Sequence, residues 1–179
     1  MTVKRYKEIA ARSRVPLGFL LLMVFVITAR PTWPRLIAGA LIAFSGVALR
    51  AWAAGHLAKN QELSTGGPFA YMRNPLYVGT ALTSAGFALI GGVWWIALLF
   101  AVVLGVVYLP VVYEEESYLR EIFPGYAEYA ARVPRFWPRF GGPSGAARFR
   151  MSLWVRNQEY NALIAYLCVL ALLIWKLVG

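Results

Sequence analysis

The sequence contains no aspartate, one histidine (His56) and one cysteine (Cys168). One histidine and one cysteine so far apart make no metal site, and a lone thiol builds no disulfide framework. Charge is scarce as well. Charged residues are 15% of the 179, against about 25% in a typical soluble domain. Too little polar surface is present to cover one modest water-facing domain. With 60% of residues hydrophobic, disorder and a collagen-like fibre are also excluded. The glycine fingerprint of a doubly wound nucleotide-binding domain is missing, and a βαβ unit has no place in the chain. What is present, at a mean hydropathy of +0.58, is the composition of an integral membrane protein.

Spanning a bilayer takes roughly 20 apolar residues per helix. Five stretches approach this: Val15 to Ala29, Leu36 to Ala54, Leu76 to about Ile90, Val93 to Tyr113, and Tyr160 to Val178. The fold class expected is therefore all-α, an integral membrane protein of about five transmembrane helices with no internal repeat. It divides as a single membrane domain into an N-terminal hairpin (1–54), a central part (55–140), and a segment of 141–179 that ends in the fifth helix. Arg30-Pro-Thr-Trp-Pro-Arg35 forms the hairpin turn, its prolines stopping the helices. An alternative reading of the first stretch is a signal peptide, with a basic start, a short apolar run and Ile27-Thr-Ala29 as a weak cleavage site.

The net charge of +10 is read by position. With the N-terminus cytoplasmic, fourteen cations fall on that side, in the leader and in loops 55–75 and 114–158. Three, Arg30, Arg35 and Lys176, fall on the other. This positive-inside bias puts both long polar segments in the cytoplasm and the C-terminus on the opposite side. The cations form no continuous basic face, so nucleic acid is not expected as a partner.

Segment 55–79 gathers His56, the pair Gly66-Gly67, and Arg73-Asn74-Pro75 leading into the third helix. Glycine permits close backbone approach, and a helix start preceded by arginine suits a carboxylate or phosphate. An ordinary membrane loop with an interfacial histidine and arginine is the plainer alternative. Segment 113–135 opens with three consecutive glutamates, Glu114, Glu115 and Glu116. Adjacent carboxylates repel unless a cation sits among them. Glu116 and Arg120 are spaced to pair on a helix, which leaves the other two unexplained, and glutamates at a helix C-terminus oppose its dipole. A bound sulfonium or ammonium ligand would favour them there. A solvated helix end is again the plainer alternative.

Taken in order, Gly66-Gly-Pro-Phe-x-Tyr71-x-Arg73-Asn-Pro-x-Tyr77-x-Gly79, two helices, Glu115-Glu116-x-x-Leu119, then Phe123-Pro-Gly-Tyr-x-x-Tyr129-x-x-Arg132-Val-Pro resembles the isoprenylcysteine carboxyl methyltransferases and their bacterial relatives. These belong with the phospholipid N-methyltransferases. The resemblance covers about residues 55–140 and makes that part a methyltransferase-like catalytic core. It implies S-adenosylmethionine as cofactor, held by His56, Gly67, Tyr71, Arg73, Asn74, Pro75, Tyr77, Gly79, Glu115 and Glu116. Arg132 matches a position close to a substrate carboxylate, and Arg132 with Glu116 are the catalytic candidates. The implied partner is a lipophilic or lipid-modified substrate entering from the bilayer of a bacterial inner membrane. Two departures stand out: Asn74 replaces a histidine, keeping hydrogen bonding without titration, and the Phe-Gly-x-x-Tyr pattern is one residue shorter here.

Outside the resemblance, Arg50 is expected to snorkel from its helix, Cys168 to be a small packing residue, and the tryptophans to form interfacial belts. Arg148 to Arg156 alternates cations with apolar residues and is expected to lie along the cytoplasmic leaflet as a short interfacial helix. Rival readings are a nicotinamide-dependent membrane reductase related to sterol reductases, a phospholipid N-methyltransferase, and a non-enzymatic membrane scaffold. The oligomeric state is left open.

Overall fold

A computed structural model describes residues 20–139 and 147–179, and among these the chain is helical with no β-strand. Helix α1 covers residues 20–28. It is followed by α2 (Trp33–Ala54), α3 (Pro75–Gly91) and α4 (Trp94–Ile122), which contains a π-helical turn at Leu104–Tyr108. Short helices α5 (Tyr126–Arg132) and α6 (Met151–Arg156) precede α7 (Tyr160–Val178). Helices α2, α4 and α7 are long and apolar enough to cross a membrane; α3, at 17 residues, is shorter. The chain is an all-α integral membrane protein. The leader and the N-terminal part of the first stretch, with the signal-peptide reading, lie outside the described residues.

The sequence punctuates the helices. Pro34 and Pro75 sit in first turns, where a missing N–H costs nothing. Gly92, at φ 64°, ends α3. Pro110 follows the π-turn in α4; it lacks the N–H a regular ladder needs, and the wider turn absorbs the misfit.

Lipid tails do not drive helices together, so close backbone approach must do so. Glycines make this possible where α2 crosses α3. Gly39 faces Gly86, and Gly46 faces Gly79; a Cβ on Gly79 would stand 2.7 Å from the Gly46 carbonyl oxygen. Further along, Phe25 packs edge-on to Phe87 and against Phe100, with Leu36, Ile90 and Leu173 around them.

The two ends of the bundle differ. At one end Arg30 N–H donates to the Gly91 carbonyl at 2.8 Å, and the Lys176 ammonium donates to the carbonyls of Val26 and Ile27. Exposed Trp33, Trp94 and Trp175 ring that end. The other end carries the polar segments and α5 and α6.

Three expectations are corrected. The fourth stretch does not stop at Tyr113 but continues to Ile122, so Glu114 to Glu116 lie inside a helix rather than at its end. Arg50 does not snorkel. Its Nε and Nη2 donate to Glu159 at 3.1 and 2.6 Å, and its Nη1 donates to Thr80 Oγ1 at 2.6 Å. Cys168 is exposed on the outer face of α7 rather than packed.

Candidate functional site

At the polar end the start of α3, the loop after α2, the end of α4 and helix α5 enclose a cavity of about 580 Å³. That lies within the roughly 300–1,000 Å³ typical of small-molecule sites. One wall is Arg73, Asn74, Pro75 and Tyr77. Facing it are Glu115, Tyr118 and Leu119 from α4, with Phe123, Tyr126 and Tyr129 behind. Lys59, Asn60, Glu62 and Ser64 close the loop side. Asn60 takes a left-handed backbone (φ 60°), which asparagine tolerates better than most residues.

Beneath this cavity lies a buried polar cluster centred on Glu116, whose side chain is 5% exposed. Arg73 Nη1 donates to it at 3.2 Å and Asn74 Nδ2 at 3.0 Å. Arg135 reaches it through Nε at 3.0 Å and Nη2 at 2.8 Å. Glu116 therefore does not pair with Arg120, which lies over the Tyr126 ring instead. Two guanidiniums against one carboxylate leave one excess positive charge at the cavity floor. The Arg135 guanidinium also covers the Tyr113 ring at 4.3 Å. Its hydrogen bond to Glu116 is the largest influence holding Arg135 more firmly in its charged form.

The backbone explains why Arg135 arrives there. Val133 and Pro134 leave α5 extended, and Arg73 N–H donates to the Pro134 carbonyl at 2.9 Å. Asn74 N–H donates to the Arg135 carbonyl at 3.2 Å, and Arg139 N–H to the Tyr71 carbonyl at 3.0 Å. The segment after α5 is thus pinned along residues 71–74. Tyr129 donates its hydroxyl to the Phe69 carbonyl at 2.7 Å, anchoring α5. Burial raises the phenols of both Tyr126 and Tyr129 above the ordinary tyrosine range, so both stay neutral hydrogen-bonding groups.

The expected site residues separate into groups. Arg73, Asn74, Pro75, Tyr77 and Glu115 line the cavity, with Tyr77 donating its hydroxyl to Glu115 at 2.9 Å. Glu116 supports them from beneath. Gly79 belongs to the α2–α3 crossing. His56 is buried behind the cavity, its ring nitrogens facing the carbonyls of Trp52 at 2.8 Å and Ala147 at 3.2 Å. Gly67, at φ 57°, leaves space for that imidazole, since a Cβ there would meet the ring at 2.7 Å. Tyr71 lies beside Trp52. Arg132 does not join the cluster: its side chain is 63% exposed and pairs with Glu128 one turn away. Arg135 is the residue that motif reading missed, while Tyr126 and Tyr129 stand in the motif without a site role and Arg50 is read there as a snorkelling side chain. The one signal for Arg135 was its place directly after Val-Pro.

Three polar atoms in the cavity wall, Ser64 Oγ, Arg73 Nε and the Tyr126 hydroxyl, are buried without a hydrogen bond among the described residues. Arg73 lies close enough to the Tyr126 hydroxyl to work against the rise that burial causes. Among the described residues no group of three metal-ligating side chains converges.

Residues 40–125 match the family described as phospholipid methyltransferase. Over 92 residues the chain is 35% identical to the cobalt-zinc-cadmium resistance protein CzcN of Cupriavidus metallidurans. Over the same length it is 33% identical to the nickel-cobalt-cadmium resistance protein NccN of Alcaligenes xylosoxydans xylosoxydans. Each match takes in 50% of this chain and 43% of the relative, so the chain spans less than half the length of either. No solved structure matches. Residues 40–125, the segment that matches the phospholipid methyltransferase family, carry Arg73, Asn74, Tyr77, Glu115 and Glu116 alike.

Proposed function

We propose that the protein is a membrane methyltransferase that uses S-adenosylmethionine and acts on a lipophilic acceptor. The observation carrying this reading is the cavity itself: an excess cation at Arg73, an acidic wall at Glu115, and buried polar atoms left without partners between them. A zwitterionic amino-acid end fits between such groups, so the residues present suit the cofactor. Arg73 would receive its carboxylate, and Glu115 with Tyr77 its ammonium or ribose hydroxyls. When bound, the cofactor supplies an electrophilic methyl group on a sulfonium. Glu116 acts as a positioning residue, since both its oxygens are engaged in holding Arg73, Asn74 and Arg135. Asn74 supplies the hydrogen bond to Glu116 without carrying a proton that can titrate. Phe69, Leu119 and Phe123 present apolar surface that excludes water, which strengthens every charge contact inside.

The polar end is assigned to the cytoplasmic face from the cation bias. An acceptor arriving from the bilayer meets the cavity between α2, α3 and α4. An acceptor carboxylate needs only a cation, whereas an amine must lose a proton, for which Glu115 is the available base. The names of the relatives suggest a second reading, in which the methylated product contributes to metal tolerance. Metal sensitivity of a strain lacking the protein tests it.

Calorimetric titration of the detergent-purified protein tests the main proposal, with S-adenosylhomocysteine and NADPH as separate ligands. Binding of the first, lost in Arg73→Ala, supports methyl transfer. Binding of NADPH alone overturns it in favour of a reductase, and binding of neither favours a scaffold.

A further inference from the structure

A second cavity of about 280 Å³ lies deeper in the bundle, where α1, α2, α3, α4 and α7 meet. Val47, Phe87, Phe100, Ala165 and Tyr166 make its wall almost wholly apolar. Arg50 and Thr80 line this cavity and the polar one alike, so they form the threshold between the two.

A charged side chain within a membrane helix is costly and calls for a reason. Glu159, 9% exposed, offsets the Arg50 charge through two hydrogen bonds, and Thr80 Oγ1 and the Leu76 carbonyl accept two more. One N–H of Nη2 remains without a partner among the described residues, and the side chain keeps 26% exposure. The threshold thus presents a fixed donor of little net charge beside an apolar chamber.

We infer that the methyl acceptor is a single-chain lipophile whose hydrocarbon lies in the apolar cavity and whose polar end accepts a hydrogen bond from Arg50. This rests on the methyltransferase reading for the word acceptor, and on the two cavities alone for the site. A methylene occupies about the volume of a water molecule, roughly 30 Å³, so 280 Å³ takes about nine methylenes of a single chain, and the rest of a longer chain extends through the cavity's open side. Offset by Glu159, Arg50 suits an oxygen acceptor such as a hydroxyl, carbonyl or carboxylate on a short polar end. The fifth apolar stretch, α7, then has a function: Glu159, the residue just before its first turn, holds the threshold arginine in place.

The test uses photolabelling of the full-length protein with three diazirine-bearing probes: a sixteen-carbon alcohol, the corresponding alkane, and a diacyl phosphatidylcholine. The expected result is that the alcohol labels residues 162–169, and that Arg50→Gln lowers this by about fivefold, the worth of one hydrogen bond. Arg50→Lys should recover part of it. Alkane labelling should be unchanged in Arg50→Gln, and Ala165→Phe should block both single-chain probes. Equal loss of alcohol and alkane labelling would show that Arg50 only shapes the fold, overturning its role as a contact. Labelling of the cavity by the diacyl probe, or by no probe, overturns the single-chain site. Cavity labelling by a protein that fails to bind S-adenosylhomocysteine keeps the lipid site and overturns its assignment to a methyl acceptor.

Discussion

Glu116 shares its two oxygens among Arg73, Asn74 and Arg135, so its charge is what keeps two guanidiniums together under the cavity. Breaking a buried pair leaves uncompensated charge. Glu116→Gln should therefore destabilise the protein by about 3 kcal/mol and lower the melting temperature in detergent. Glu128→Gln, which breaks only the exposed pair with Arg132, should leave the melting temperature unchanged. The two arginines of the Arg-Val-Pro-Arg stretch should likewise differ. Arg135→Ala is expected to weaken S-adenosylhomocysteine binding about tenfold or more, as expected for a lost charged hydrogen bond, whereas Arg132→Ala should not; calorimetry of both decides. The phenols of Tyr126 and Tyr129 give a pH dependence with a definite sign. Both are raised by burial, so the unfolded chain loses these protons first and stability falls as pH rises beyond the ordinary tyrosine value of about 10. Thermal unfolding between pH 8 and 11 should show the fall, and Tyr129→Phe should reduce it. The motif residues were visible in the sequence, but Arg135 was not distinguished from Arg132. Its placement depends on the Arg73–Pro134 backbone hydrogen bond, which has no local signature.

Helix boundaries followed from apolar runs and from proline and glycine punctuation. The fifth helix begins and ends where its run does, and α2 begins three residues before its run, at the hairpin tryptophan. The end of α4 was misplaced because Glu114 to Glu116 read as an exit from the membrane. In the structure two arginines meet Glu116, and the helix can continue through all three. The α2–α3 crossing depends on glycine at matched positions seven residues apart. Gly46→Val would drive a side chain into the Gly79 carbonyl. It should cost about 1–3 kcal/mol by overpacking and, by shifting Arg50 and the start of α3, weaken ligand binding as well. Thermal unfolding together with calorimetry reads both effects.

For the molecule as a whole, the polar end is held together by parts far apart in the chain. Asn157 donates to the carbonyls of Ala54 and Leu57 at 2.9 Å each, closing the end of α2, and Arg150 N–H donates to the Gly55 carbonyl. Orientation is a property at this scale, and the cation bias predicts it. A C-terminal alkaline phosphatase fusion expressed in bacteria should be active and a C-terminal green fluorescent fusion dark; the reverse pattern would turn the cavity to the other side. By itself the sequence determined the solvent, the helical class and the candidate motif residues, because hydropathy, charge counts and short motifs are local quantities. Only the tertiary structure decided that His56 and Gly67 pack against each other behind the cavity, that Gly79 serves a helix crossing, and that Arg50 is clamped by Glu159. Those outcomes depend on which distant backbone or carboxylate each side chain meets, and a buried charge is settled by the partner that arrives.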